Sequence, residues 1–205
     1  MKHTFLAIVV WGAAALVTAR AETQTFDFKD PKGVNNAVFK LDAPLEAING
    51  TANGISGTVV YDPENPAALS GKIVVEARTL TVPNPMMNGH LHGNQWLDVA
   101  KFPEITFEAA RVANVKRDGT SASADVTGKM TIHGVTRELT IPVKLNYLKG
   151  KLGDRVPNQQ GDLLVLRAHF TIKRSDFDIN PGAPADKVAN EIELTLSLAG
   201  AAPRP

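Results

Sequence analysis

The chain has 205 residues, no cysteine, 43% hydrophobic and 21% charged residues, the composition of one folded domain rather than a disordered or fibrous chain. Lys and Arg number 22 against 21 Asp and Glu, so no overall charge excess exists to build a long-range field for nucleic acid or an anionic membrane, and no nucleic-acid partner is implied. Without cysteine there is no disulfide framework, thiolate metal site, cysteine nucleophile or acylated cysteine.

Lys2 and His3 precede an apolar run from Phe5 to Val17, followed by the small-residue pattern Ala19-Arg20-Ala21. This predicts a secretory signal peptide over residues 1–21, because a 13-residue run falls short of the roughly 20 residues a spanning helix requires. Cleavage removes Lys2 and Arg20 and no acid, which takes the net charge from +1 to −1. The expected location is the periplasm or the medium.

From Glu22 onward the dominant signal is period-two alternation, which predicts half-buried strands. Short runs occur at 23–28, 36–41, 55–61 and 72–78. Pro83 to Leu97 breaks the pattern and predicts a long excursion containing a short helix. Strands resume at 104–112 and 122–133, with Asp118-Gly119 as the tight turn between them. Val135, Leu139, Ile141, Val143, Leu145 and Tyr147 then share one face. After a polar loop at 149–160, Leu164, Leu166, Ala168, Phe170 and Ile172 share another, and Ile192, Leu194, Leu196 and Leu198 a third. Residues 200–205 are predicted to be a flexible tail beyond a single domain at 22–199. Strands that each carry one apolar face must stack as a sandwich or close into a barrel, and alternation alone does not choose.

No familiar catalytic constellation is present: there is no GxSxG, SxxK, GxxxxGK[ST] or GxGxxG sequence. His90-Leu91-His92 offers two imidazoles on one side if the segment is extended, but no third ligand accompanies them, so no metal and no cofactor are expected. His133 and His169 fall on the polar faces of their strands without a catalytic partner. The chain is therefore read as a non-enzyme whose apolar interior is either a packed core or a ligand cavity.

Three stretches carry a family resemblance. His90-Leu91 with Trp96-Leu97-Asp98-Val99-Ala100-Lys101-Phe102-Pro103-Glu104-Ile105-Thr106-Phe107, then residues 126–138 (VTGKMTIHGVTRE), then Ile172-Lys173-Arg174-Ser175-Asp176-Phe177 resemble, in order and spacing, the YceI-like family of polyisoprenoid-binding, lipocalin-like bacterial proteins. The resemblance implies an all-β, antiparallel lipocalin-like barrel of about eight strands with short helical caps, whose lumen holds the isoprenoid tail of a polyprenyl phosphate or quinone. On that basis the lumen is expected to be lined by Phe39, Phe107, Met130, Ile132, Leu139, Ile141, Val143, Leu166 and Phe170, with Trp96 near an end cap. Lys149, Lys151, Arg155 and Arg174 are the candidate headgroup contacts. The alternative is a packed barrel that docks on a membrane or redox partner without cargo. Oligomeric state is left open, a homodimer included. The chain departs from the family where an Asp-x-x-His-Ser stretch is replaced by residues 30–35 (DPKGVN), and where the glycine after Asp176-Phe177 is Asp178.

Overall fold

A computed structural model describes residues 23–204; the signal sequence expected at 1–21 lies outside that range. Ten strands form one antiparallel sheet: β1 (Gln24–Asp27), β2 (Asn36–Asp42), β3 (Ala47–Ala52), β4 (Ile55–Tyr61), β5 (Ser70–Glu76), β6 (Glu104–Asp118), β7 (Ser121–Ile132), β8 (Val135–Leu148), β9 (Gly161–Lys173) and β10 (Glu191–Pro203). The order is β1-β4-β5-β6-β7-β8-β9-β10, and β10 returns to β1 through Asp27 and Ala201, closing an eight-stranded barrel. The β2–β3 hairpin pairs with β10 over Glu193 to Ser197, on the stretch that short β1 leaves free, and Thr51 bridges Thr81. Closure answers the question the alternation left open, because it removes the unpaired edges an open sheet would expose.

Helix α1 (Pro85–His92) lies in the predicted excursion, and α2 (Leu152–Arg155) lies in the loop predicted at 149–160. The side chain of Asn84 caps α1 by accepting from the Met86 amide, and Pro85 occupies the first turn, where its missing N–H is not needed. The side chain of Asn88 bonds both the N–H and the carbonyl of Val82, and His92 Nε2 meets the Leu80 carbonyl at 2.7 Å. These bonds hold α1 across one end of the barrel. The α2 end is filled by Phe26, Phe28, Tyr61, Leu145, Leu164 and Leu198, all almost fully buried.

Glycine has a specific task at two positions. Gly134, with φ of +75°, turns the β7–β8 hairpin, and a Cβ there would approach Phe102 to 2.4 Å. Gly71 has φ of +144°, and a Cβ would come within 2.3 Å of the Thr58 carbonyl oxygen, so β4 and β5 pack closely only because it is bare.

Two sequence expectations are corrected by the structure, and one departure from the family is explained by it. The predicted tail at 200–205 is strand as far as Pro203: Gly200 to Pro203 pair with Leu164 to Gly161, and the Arg204 amide donates to Gln160. Two prolines and small residues concealed it, although Gly200 and Ala202 are buried and Ala201 between them is only half-buried, the alternation of a strand. His133 is not a strand residue; it occupies the hairpin turn with φ of 50°, its ring edge-on to Phe102. Asp178 takes the place of the family's glycine in the left-handed region, with φ of 55°, a conformation that aspartate tolerates better than most residues.

The α2 end also holds a buried carboxylate. Asp162, with its side chain fully buried, accepts hydrogen bonds from the Tyr147 hydroxyl, from the Gly150 amide and, on both carboxylate oxygens, from Nη2 of Arg204 at 2.6 and 2.7 Å. Burial by itself raises its pKa, but the donors of Tyr147, Gly150, Gln24 and Arg204 outweigh that and hold it at about 2. Because the folded value lies below the ordinary carboxylate value, the stabilisation is present above about pH 4 and is lost as pH falls towards 2. The difference corresponds to about 2 kcal/mol. Urea midpoints should therefore drop between pH 5 and pH 2.5, and Asp162→Asn should flatten that drop; an unchanged pH slope in the variant would remove Asp162 as its source.

Candidate functional site

The inward faces of the barrel strands do not meet at the centre. They enclose an elongated cavity of about 460 Å³, within the usual range of roughly 300–1,000 Å³ for small-molecule sites. Its wall alternates with the strands: Phe107 on β6, Met130 and Ile132 on β7, Ile141 and Val143 on β8, Leu166 and Phe170 on β9, Leu194 and Leu196 on β10. Phe39 of β2 and Trp96 after α1 complete it.

Nine of the ten residues expected along the lumen thus line this cavity. Leu139 does not line it, although it packs against the buried cluster that includes the wall residues Met130, Ile132 and Ile141. Met87 and Leu91 of α1 also line the cavity; they were not among the expected lining residues, because α1 has only a weak apolar face and no fully buried residue.

Polar side chains are few along this wall: Glu46, His90, Thr106 and Arg174, with the indole of Trp96. Glu46 and His90 are exposed, so the wall meets solvent where the β2–β3 turn faces α1. Two of the exposed large apolar side chains, Leu45 and Met86, neighbour the wall residues Glu46 and Met87 in the chain. A chamber so apolar, reached at one side and closed at the α2 end, can retain a hydrocarbon.

Arg174 is only 2% exposed. Its guanidinium donates to the carbonyls of Ala189, Ile179, Asn180 and Val188, and stacks 5.6 Å from the Trp96 ring. No carboxylate faces it among the described residues, and burial lowers its pKa from the ordinary value. The side chain therefore fastens the 179–189 loop beneath α1 and places one buried positive charge on the cavity wall.

The other headgroup candidates are corrected. Lys149, Lys151 and Arg155 belong to the β8–β9 connection at the α2 end and do not line the cavity. Lys151 pairs with Asp154 at 2.8 Å, and Arg155 donates to Asp30 at 2.9 Å and to the side chain of buried Asn35. Asn35 in turn bonds both N–H and carbonyl of Ala199, so this cluster ties the β1–β2 connection to β10. In sequence Arg155 looks free because Asp30 and Asn35 lie more than a hundred residues away.

The pairing of His90 and His92 is also corrected. Both lie in α1, where residues two apart point to different faces, rather than in an extended segment. His92 is engaged with the Leu80 carbonyl, and no group of three or more potential metal ligands occurs among the described residues.

The YceI-like domain matches residues 17–199. A UPF0312 protein of Yersinia pestis (strain Pestoides F) is 33% identical over 152 residues, covering 74% of this chain and 72% of the relative. Among solved structures, Burkholderia cenocepacia BcnA superimposes with a TM-score of 0.66 at 23% identity, covering 80% of this chain and 95% of that one. A polyisoprenoid binding domain from Saccharophagus degradans, implicated in plant cell wall breakdown, superimposes with a TM-score of 0.62 at 12% identity, covering 89% and 100%. At these identities the two structures speak for the fold alone.

Proposed function

The chain belongs to the YceI-like family, and on that premise we propose that it is a binding protein, not an enzyme, that holds the isoprenoid tail of an amphiphilic lipid inside its barrel. The observation that carries this reading is the cavity: about 460 Å³ of space walled by Phe107, Met130, Ile141, Val143, Leu166 and Phe170, in a barrel whose interior could have been filled by larger side chains. The name of the Saccharophagus degradans domain supports the same ligand class.

Each methylene moved from water into such a wall contributes about 0.8 kcal/mol, set against the entropy of straightening the tail. A methyl-branched isoprenoid fills an irregular tube better than a straight alkane, and Met130 and Met87 can adapt their shape to the branches. The headgroup is placed at the α1 side, near Glu46, His90 and the buried charge of Arg174, where the wall reaches solvent. A cargo of the polyprenyl phosphate or quinone type, carried or sequestered in the periplasm or outside the cell, completes the proposal.

Calorimetric titration with a short polyprenyl alcohol tests it. The expected result is saturable one-to-one binding with a negative heat-capacity change, the mark of buried apolar surface. Absence of saturable binding below the concentration at which the lipid aggregates would favour a barrel without cargo.

A further inference from the structure

Cross-strand register on the outside of the barrel reveals a charge pattern that the sequence conceals. Over much of the outer face, opposite charges alternate from strand to strand: Lys72 opposes Glu108, Glu108 opposes Lys129, and Lys129 opposes Glu138. Likewise Glu193 opposes Lys40 and Glu191 opposes Lys173. One row breaks the rule. Lys116 on β6 opposes Ser123, Ser123 opposes Lys144 on β8, and Lys144 directly opposes Arg167 on β9, which opposes Ser197.

Like charges set directly opposite on adjacent strands destabilise a sheet, so this row costs stability where the neighbouring rows gain it. All three cations are exposed, and none has an acidic partner within 4.0 Å among the described residues. The row lies in a shallow groove that also presents His169, Thr195 and Asn114. Its one acid, Asp125, accepts a 2.7 Å hydrogen bond from Asn114. The groove is concave because β6 is irregular between Ala113 and Lys116, with Asn114 at φ of 53°, and such a bulge bends its strand.

We propose that this groove is a docking surface for the phosphate groups of an anionic lipid bilayer. Charge complementarity selects the partner's sign. Three cations spaced across strands about 4.8 Å apart suit several phosphates rather than one, and the exposed hydroxyl of Ser123 between Lys116 and Lys144 adds a donor for a phosphate oxygen. The groove presents polar rather than aromatic side chains outward, whereas a protein partner would be expected to bury an apolar centre. The inference rests on the lipid-carrier reading, since a carrier must meet the membrane from which its cargo comes.

Sedimentation of the full chain with phosphatidylcholine vesicles, with and without phosphatidylglycerol, is the test. The wild-type protein should bind the anionic vesicles, release them as salt rises, and ignore the neutral ones. Lys144→Glu with Arg167→Glu should weaken that binding at least about tenfold, and Lys116→Ser should weaken it more modestly. Lys72→Glu with Lys129→Glu makes the same change in net charge on the balanced row, and should leave binding within about threefold.

Equal losses in the two double variants would show that net charge, not the groove, is read, and would overturn the proposal. So would wild-type protein that ignores anionic vesicles, or displacement by inorganic phosphate beyond that by chloride at equal ionic strength, which would mark a site for free phosphate. Cargo mass measured on the same samples keeps the two readings apart. The groove variants should retain full cargo, while wild-type protein that binds vesicles but carries no lipid would contradict the carrier reading and not the surface.

Discussion

Val143→Trp is expected to abolish lipid binding in a barrel that still folds. Val143 projects into the cavity from the middle of β8, and its cross-strand neighbours are small: Ala124 on β7 and Ala168 on β9. The added indole therefore has space in front of it and little beside it to displace. Filling a void in this way carries a typical overpacking cost of about 1–3 kcal/mol, within the roughly 5–15 kcal/mol stability of an ordinary domain. The tail, by contrast, loses its path. Excluding only four methylene-sized groups removes about 3 kcal/mol, more than a hundredfold in affinity. Titration with a polyprenyl alcohol, paired with a urea unfolding curve, measures both quantities; unchanged affinity in a folded variant would mean that the ligand does not occupy this cavity.

The largest effect on stability is expected from Arg174→Met. The variant leaves the carbonyls of Ile179, Asn180, Val188 and Ala189 without their donors beneath the α1 cap, in a site that is 2% exposed. Hydrogen bonds from a charged group are each worth about 1.5–3 kcal/mol, and unsatisfied acceptors carry their own desolvation cost. A loss of about 3 kcal/mol or more should follow, read as a lower urea midpoint. Arg174→Lys should recover little, because a single ammonium cannot reach four carbonyls spread around a planar fork. Were the methionine variant as stable as wild type, the 179–189 loop would be held by something other than this guanidinium.

Much of this architecture can be read along the chain. The alternation from Val135 to Tyr147 and from Leu164 to Ile172 names inward residues that do face the barrel interior, because two residues per repeat is a geometric property of any strand. Asp118-Gly119 likewise marks a turn that local chemistry alone can specify, with Gly119 at φ of 56°. What fails is whatever depends on a distant partner. Arg155 and Asp30 are separated by 125 positions, so nothing local to the 149–160 loop reveals that its arginine is already engaged. The α1 residues Met87 and Leu91 lie four apart on one helical face, but only the tie of Asn88 to Val82, which no local pattern announces, seats that face on the cavity. The open cavity itself is invisible to pattern, since Phe107 and Leu166 would alternate identically in a solid core. The row of Lys116, Lys144 and Arg167 is hidden for the same reason: three cations scattered over fifty residues become neighbours only through register.

Native mass spectrometry of the protein purified from its own cells, followed by extraction and identification of any small molecule released, tests the central claim most directly. The account predicts a stoichiometric adduct whose mass and fragments identify an isoprenoid lipid. A bare protein mass that persists after incubation with several isoprenoids would contradict it, and would leave a hollow barrel acting through its outer surface alone.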